Sequence, residues 1–248
     1  MIKTIDHYSY WNKNRRSSTE ILDREKKALD FIAKVFRPGK SVIDVGCGSG
    51  LFMGLLKKRF PGINVKGVDF SQTEVNEARK NGFEVIQGNF EEGIKIKTNS
   101  FDIVYAGEII EHLYNPDLCV EELNRILKKD GFLVLSTPNL CAWFNRILLP
   151  LGIQPLFLES STKSKLVGSG PLKRLKKGST PVGHVRIFTI AGLKDILEMY
   201  GFKILEIKGG LYEEGLPKSI LPIDKLFNIS PGLSSNLILI AKKTKKIS

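Results

Sequence analysis

The chain has 248 residues, 42% hydrophobic and 26% charged, ordinary values for one generous globular domain. Collagen-like, coiled-coil and wholly disordered chains are excluded. The 38 basic and 26 acidic residues leave a net charge of +12, which raises nucleic acid, an anionic membrane surface or an acidic substrate as partners without choosing among them.

Ser17-x-x-Glu20 reads as a capping box, and Ile21, Leu22, Ala28, Leu29, Ile32, Ala33 and Phe36 follow at helical spacing up to Pro38-Gly39. Ser41 to Val45 is a short buried strand running into glycines. Leu51 to Phe60 is helical, and Val65 to Asp69 is the next strand. Ser71-x-x-Glu74 opens a helix that reaches about Asn81, with Gly82 as its stop. Phe83 to Gln87 and Phe101 to Ala106 read as strands. Asn115 caps a helix with Pro116 at its first position, predicted to run to about Lys129. Phe132 to Ser136 is a strand ending at Thr137-Pro138. Such alternation predicts an α/β fold, a doubly wound and mostly parallel seven-stranded sheet, whose ligands bind at the carboxyl ends of the strands.

Residues 139–183 break the rhythm and read as a cap inserted between strands five and six: an apolar part, then a basic, mobile loop. Thr189 caps a helix ending at Gly201, and Lys203 to Ile207 and Asn236 to Ala241 complete the sheet. The expected organisation is a lid and helix in 1–40, a cofactor-binding core in 41–138, the cap in 139–183 and completion of the sheet in 184–248. Charge is uneven across these parts. Residues 41–138 hold 11 basic and 14 acidic groups, whereas 139–190 hold 8 basic and 1 acidic.

Cys47, Cys119 and Cys141 form no CxxC pair and suit a reducing compartment. The first residues lack the apolar run of a signal peptide. The longest apolar stretch, Ile147 to Leu158, is too short to span a bilayer and is broken by prolines and glycine. The expectation is a cytoplasmic protein with no transmembrane segment, in which that stretch touches a membrane surface at most peripherally.

The central motif is Asp44-x-Gly46-x-Gly48-x-Gly50. Glycines permit a sharp turn and close approach of backbone N–H groups to a ligand. The dinucleotide pattern GxGxxG is not met, because Leu51 stands where its last glycine would fall. Asp44 would repel a pyrophosphate but would help a cationic ligand.

From Val42 to Gly50, and more broadly over residues 41–138, the sequence resembles the class I S-adenosylmethionine-dependent methyltransferases. The resemblance implies that Asp44, Gly46, Cys47, Gly48 and Gly50 wrap the methionine part of S-adenosylmethionine. It implies that Asp69 accepts the ribose hydroxyls, Phe70 packs on the adenine and Asn89-Phe90 meets the adenine edge. Glu108, at the end of the fourth strand, is counted with the cofactor site.

Glu108-x-x-Glu111-His112 and His184-x-Arg186-x-Phe188-Thr189 point to the second substrate. With Ser136-Thr137-Pro138-Asn139 they are similar to the ubiquinone-type O-methyltransferases and to the small-RNA 2′-O-methyltransferases. By the latter resemblance Glu108, Glu111, His112 and His184 would ligate a divalent metal, while His112 first and His184 second are candidates for the base that takes a hydroxyl proton. Structural roles for these residues stay open at this point. Tyr8, Tyr10 and Trp11 are expected to form a lid or an anchor, and Trp143, Phe144 and Arg146 to line the acceptor pocket or pack the cap.

Three functions are weighed. The first is O-methylation of a small molecule, sugar or lipid-linked precursor of anionic character. The second is RNA 2′-O-methylation assisted by a metal. The third is a partner subunit that binds the cofactor without turnover.

Overall fold

The computed structural model describes residues 20–174, 176 and 178–244. Seven strands form one sheet: β1 Ser41–Val45, β2 Asn64–Asp69, β3 Glu84–Gln87, β4 Phe101–Gly107, β5 Leu127–Pro138, β6 Phe202–Gly210 and β7 Asn236–Lys243. Their order is β3-β2-β1-β4-β5-β7-β6. β7 runs antiparallel to both of its neighbours, and the other pairings are parallel. This is the expected doubly wound sheet.

The central strands are apolar on both faces because both faces are covered. Helices α1 Asp23–Val35, α2 Leu51–Arg59 and α3 Gln72–Lys80 bury Phe31, Ile32, Met53, Leu56, Val75 and Ala78 on one side, against Val42, Ile103 and Val134. Helices α4 Pro116–Ile126 and α6 Ile190–Met199 bury Leu123, Ile126, Leu193 and Leu197 on the other, against Ile43, Val104 and Leu135. Val42 and Ile43, adjacent in sequence, therefore serve opposite cores, as the two-residue period of a strand requires.

Predicted caps form at three helices. Ser71 Oγ accepts Glu74 N–H at 3.5 Å, Asn115 Oδ1 accepts Leu118 N–H at 3.1 Å, and Thr189 Oγ1 accepts Gly192 N–H at 3.1 Å. The first helix differs: it begins at Asp23, where the Glu25 carboxylate accepts Leu22 N–H at 2.8 Å. Ser17 lies outside the described residues, as do Tyr8, Tyr10 and Trp11. Helix α4 stops at Ile126 rather than near Lys129. Leu127 already pairs with Phe101, and Asp130 takes φ +60°, a value no α-helix admits.

Residues between β5 and β6 fold over the carboxyl ends of the strands. They contain the short helix α5 Trp143–Leu148, and they enclose Ala142, Phe144 and Phe157 in a small apolar core that Tyr212 and Leu216 complete. Helix α7 Leu221–Phe227, which the sequence reading leaves unassigned, anchors this cap. Its buried Asp224 accepts the Trp143 indole N–H at 2.9 Å, the Ser235 hydroxyl at 2.6 Å and Tyr212 N–H at 2.9 Å. No described helix is long and apolar enough to cross a membrane.

Candidate active site

The glycine loop follows β1. Asp44 is buried near its end, and Gly46, Gly48 and Gly50 all have positive φ. At Gly50 the constraint is double: φ is +89°, and a Cβ there would lie 2.5 Å from the Phe83 ring. Cys47 is buried beneath the loop, close to Gly67, where a Cβ would lie 2.6 Å from the Cys47 sulfur.

Asp69 ends β2 beside the loop. Its carboxylate accepts Gly48 N–H at 2.8 Å and Ser71 N–H at 2.9 Å. Two carboxylate oxygens offer about four acceptor sites, the kind of group that can serve a vicinal diol. Phe70 is half-buried next to it, with its carbonyl accepting from Gln87 Nε2 at 3.3 Å. Asn89 Oδ1 caps its own turn by accepting Glu91 N–H at 3.0 Å. The Phe90 side chain turns into the core, packed with residues such as Val68 and Ile94, so only its backbone can face an adenine edge.

Glu108 sits directly after β4 with φ +54°, a strained value for a side-chain-bearing residue. Its Oε1 accepts the Ser136 hydroxyl at 2.8 Å, and its Oε2 lies 3.8 Å from Arg24 Nε. Arg24 also donates to Glu214 at 2.7 Å. Burial opposes the Arg24 charge, but Glu108 and Glu214 outweigh it and hold the guanidinium firmly cationic. Burial in turn pushes the Glu108 carboxyl up, with Arg24 working against that rise. Arg24 is a site residue the sequence reading misses. It reaches Glu108 because Asp23, at the start of α1, accepts Leu211 N–H at 3.1 Å just past β6.

Glu111, His112 and His184 meet one layer further out. Glu111 is fully buried, and its Oε2 accepts the Thr137 hydroxyl at 2.9 Å. Its Oε1 has no hydrogen-bond partner among the described residues and lies 4.0 Å from His112 Nε2. Burial first, and Glu108 second, push its carboxyl well above the usual range.

The Nδ1 of His112 lies 3.1 Å from the Gly183 carbonyl, and that of His184 3.0 Å from the Phe157 carbonyl. A carbonyl only accepts, so each neutral ring carries its proton on Nδ1 and keeps Nε2 as the basic nitrogen. Burial pushes His112 down to about 3, with His184 adding to it, and burial pushes His184 down to about 4.

His184 is delivered by a strap. The Glu111 carbonyl accepts Val185 N–H at 2.8 Å and Arg186 N–H at 3.0 Å, Arg186 donates to the Tyr114 carbonyl at 3.0 Å, and Phe188 O accepts Leu140 N–H at 2.9 Å. Ligand atoms of Glu111, His112 and His184 lie within 4.8 Å of one another. Glu108 does not join that group, being turned toward Ser136 and Arg24. Above it, Phe157 and Phe144 meet edge to face at 5.6 Å, and Phe144 and Trp143 pack the cap. The basic loop is tied down in part: Gln154 N–H donates to Gly168 O at 3.0 Å, and Lys176 Nζ to Lys165 O at 2.8 Å.

The chain is similar in sequence and fold to known proteins. A family model described as a methyltransferase domain matches residues 15–207. The mitochondrial ubiquinone biosynthesis O-methyltransferase of Schizosaccharomyces pombe is 26% identical over 98% of this chain and 86% of that protein. The ubiquinone biosynthesis O-methyltransferase of Hahella chejuensis is 33% identical over 45% of this chain, a match that spans about half (49%) of that relative's length. Among solved structures, the 1,6-didemethyltoxoflavin-N1-methyltransferase of Burkholderia thailandensis, bound to its substrate and S-adenosylhomocysteine, superposes with a TM-score of 0.62. It has 16% identity and covers 98% of this chain and 87% of that one, a likeness of fold.

Proposed function

The chain belongs to the class I S-adenosylmethionine-dependent methyltransferases, and from that premise we propose that it methylates a hydroxyl oxygen of a compact, apolar and anionic acceptor, such as a small molecule, sugar or lipid-linked precursor. The observation that carries this reading is the histidine pair. Two neutral imidazoles, each with Nδ1 set against a backbone carbonyl, stand together past the end of β4, under an aromatic cap.

The residues fit S-adenosylmethionine. The glycine loop and Asp69 form a backbone cradle with a carboxylate suited to a ribose diol, and buried Asp44 favours a cationic ligand. Arg24, held between Glu108 and Glu214, is a candidate partner for the carboxylate of the methionine part. When bound, the cofactor supplies an activated methyl group on a sulfonium. The chain then has to align the acceptor oxygen with that methyl and keep water out. His112 Nε2 takes the hydroxyl proton, with His184 as the second candidate. The excess of 8 basic over 1 acidic residues in 139–190 favours an anionic acceptor.

A second reading concerns Glu111. A fully buried carboxylate whose Oε1 has no hydrogen-bond partner among the described residues, beside two imidazole nitrogens, fits a divalent cation. Glu111, His112 and His184 would hold it, and a mixed nitrogen and oxygen set suits zinc or manganese better than magnesium. Such an ion would supply Lewis acidity at the acceptor hydroxyl.

The deciding experiment is transfer of labelled methyl from S-adenosylmethionine into a cell extract, followed by fractionation. Label in the small-molecule or lipid fraction, attached to oxygen, supports the proposal. Label confined to RNA or protein overturns it.

A further inference from the structure

Glu159 is the one acidic residue among the 52 positions from 139 to 190. Its carboxylate accepts three consecutive backbone N–H groups, those of Val182 at 2.6 Å, Gly183 at 2.7 Å and His184 at 3.2 Å. Gly183 has φ +89°, and convergence of successive N–H groups on one anion needs such a left-handed residue. The carbonyl of the same Gly183 meets His112 Nδ1, and the carbonyl of Phe157, two residues before Glu159, meets His184 Nδ1. One carboxylate thus fixes both pieces of backbone against which the two imidazoles are set.

We propose that Glu159 is a positioning residue for methyl transfer: by holding the N–H groups of residues 182–184 it keeps His112 and His184 as Nδ1–H tautomers with their Nε2 atoms toward the acceptor. The inference rests on the reading of the histidine pair as the acceptor site. The energetics favour a specific role over a generic loop staple. Hydrogen bonds from backbone N–H to a carboxylate are charge-assisted and about twice as strong as neutral ones. The same grip bears on both histidines, because Glu159 holds the N–H of Gly183, whose carbonyl meets His112, and the N–H of His184 itself.

The test is Glu159→Gln, with Glu159→Asp as the charge-conserving comparison. Three readouts apply: S-adenosylmethionine affinity by calorimetry, steady-state kinetics on the labelled acceptor fraction, and long-range 15N–1H spectra of the imidazoles. Only three histidines are present, so the spectra are readily assigned. Expected in Glu159→Gln are a kcat lowered about tenfold or more by misplacement of the base, cofactor affinity within twofold of the parent, and loss of the Nδ1–H signature at His184. Glu159→Asp recovers part of both. Retention of the Nδ1–H signature in Glu159→Gln overturns the proposal, as does a loss of kcat matched by an equal loss of cofactor affinity. His112→Ala separates the two levels. If it leaves turnover intact, the reading of the pair fails, while the His184 spectrum still reports whether Glu159 sets its tautomer.

Discussion

The imidazoles of His112 and His184 lie with ring centroids 4.9 Å apart and planes inclined by 58°, although 72 positions separate them in the chain. Neither ring is an isolated core histidine. Each is anchored through Nδ1 to a backbone carbonyl: His112 to that of Gly183, which precedes His184, and His184 to that of Phe157 in the cap.

A base that loses its ring loses proton transfer but not the cofactor cradle. His112→Ala is expected to lower kcat by about 10²–10⁴-fold, with S-adenosylmethionine affinity unchanged in calorimetry because the glycine loop and Asp69 are untouched. An equal loss of binding and turnover would assign His112 to the cofactor instead.

The pair also fixes a pH dependence of stability. Burial pushes His112 down to about 3 and His184 down to about 4 in the folded chain, whereas an unfolded histidine titrates near ~6.5. Below that value the unfolded chain binds protons that the folded chain refuses. The contribution is therefore fully present above pH ~6.5 and is lost as pH falls toward 4 and then 3. Urea midpoints should decline below pH ~6.5 in the parent and decline less in His112→Asn/His184→Asn. Parallel curves would place the titration elsewhere.

Glu111 separates the two readings of the site. Treatment with a chelator should abolish turnover, and zinc or manganese should restore it, if Glu111, His112 and His184 hold a cation. Glu111→Gln should then lose metal retention, because a neutral amide cannot supply the carboxylate oxygen that a cation needs. Turnover unaffected by chelator would remove the cation and leave His112 as a metal-free base.

Asp69 is expected to govern cofactor affinity. Asp69→Ala leaves Gly48 N–H and Ser71 N–H without their shared acceptor and removes the carboxylate proposed to meet the ribose. A loss of about 1.5–3 kcal/mol follows from hydrogen bonds to a charged group, roughly a ten- to hundredfold weaker binding of S-adenosylmethionine by calorimetry. Binding within twofold of the parent would contradict this role.

The cap depends on Asp224. Asp224→Ala strands the Trp143 indole N–H, the Ser235 hydroxyl and Tyr212 N–H, costing about 2–4 kcal/mol. Trp143 is one of only two tryptophans, so a red shift of its emission should accompany the lower thermal midpoint. Unchanged emission would mean that the cap stands without this anchor.

Much of the fold and the glycine loop is legible along the chain. Alternating strands and helices, the caps at Ser71, Asn115 and Thr189, and the turn through Gly46, Gly48 and Gly50 are local patterns, and backbone sterics act over a few residues. Asp44 and Asp69 are legible for the same reason, since each lies at the end of a buried strand. Where a local signal competed with a pairing, the pairing prevailed: Leu127 joins the sheet beside Phe101 instead of continuing α4.

Other residues of the site carry no local signature. Arg24 meets Glu108 because helix α1 docks near the end of β6, and Asp224 meets Trp143 across 81 positions. Glu159 had one faint signal, its solitary charge in a basic segment. The sequence by itself determined the doubly wound sheet, the glycine loop and the side chains from which a site can be built. Only the tertiary structure decided which of them meet. It placed His184 on His112, set Glu111 beside them with one oxygen unpartnered among the described residues, and turned Glu108 away toward Arg24. The physical reason is that strands and turns follow from neighbours in the chain, whereas these meetings follow from backbone hydrogen bonds between the strap at 182–188 and distant loops.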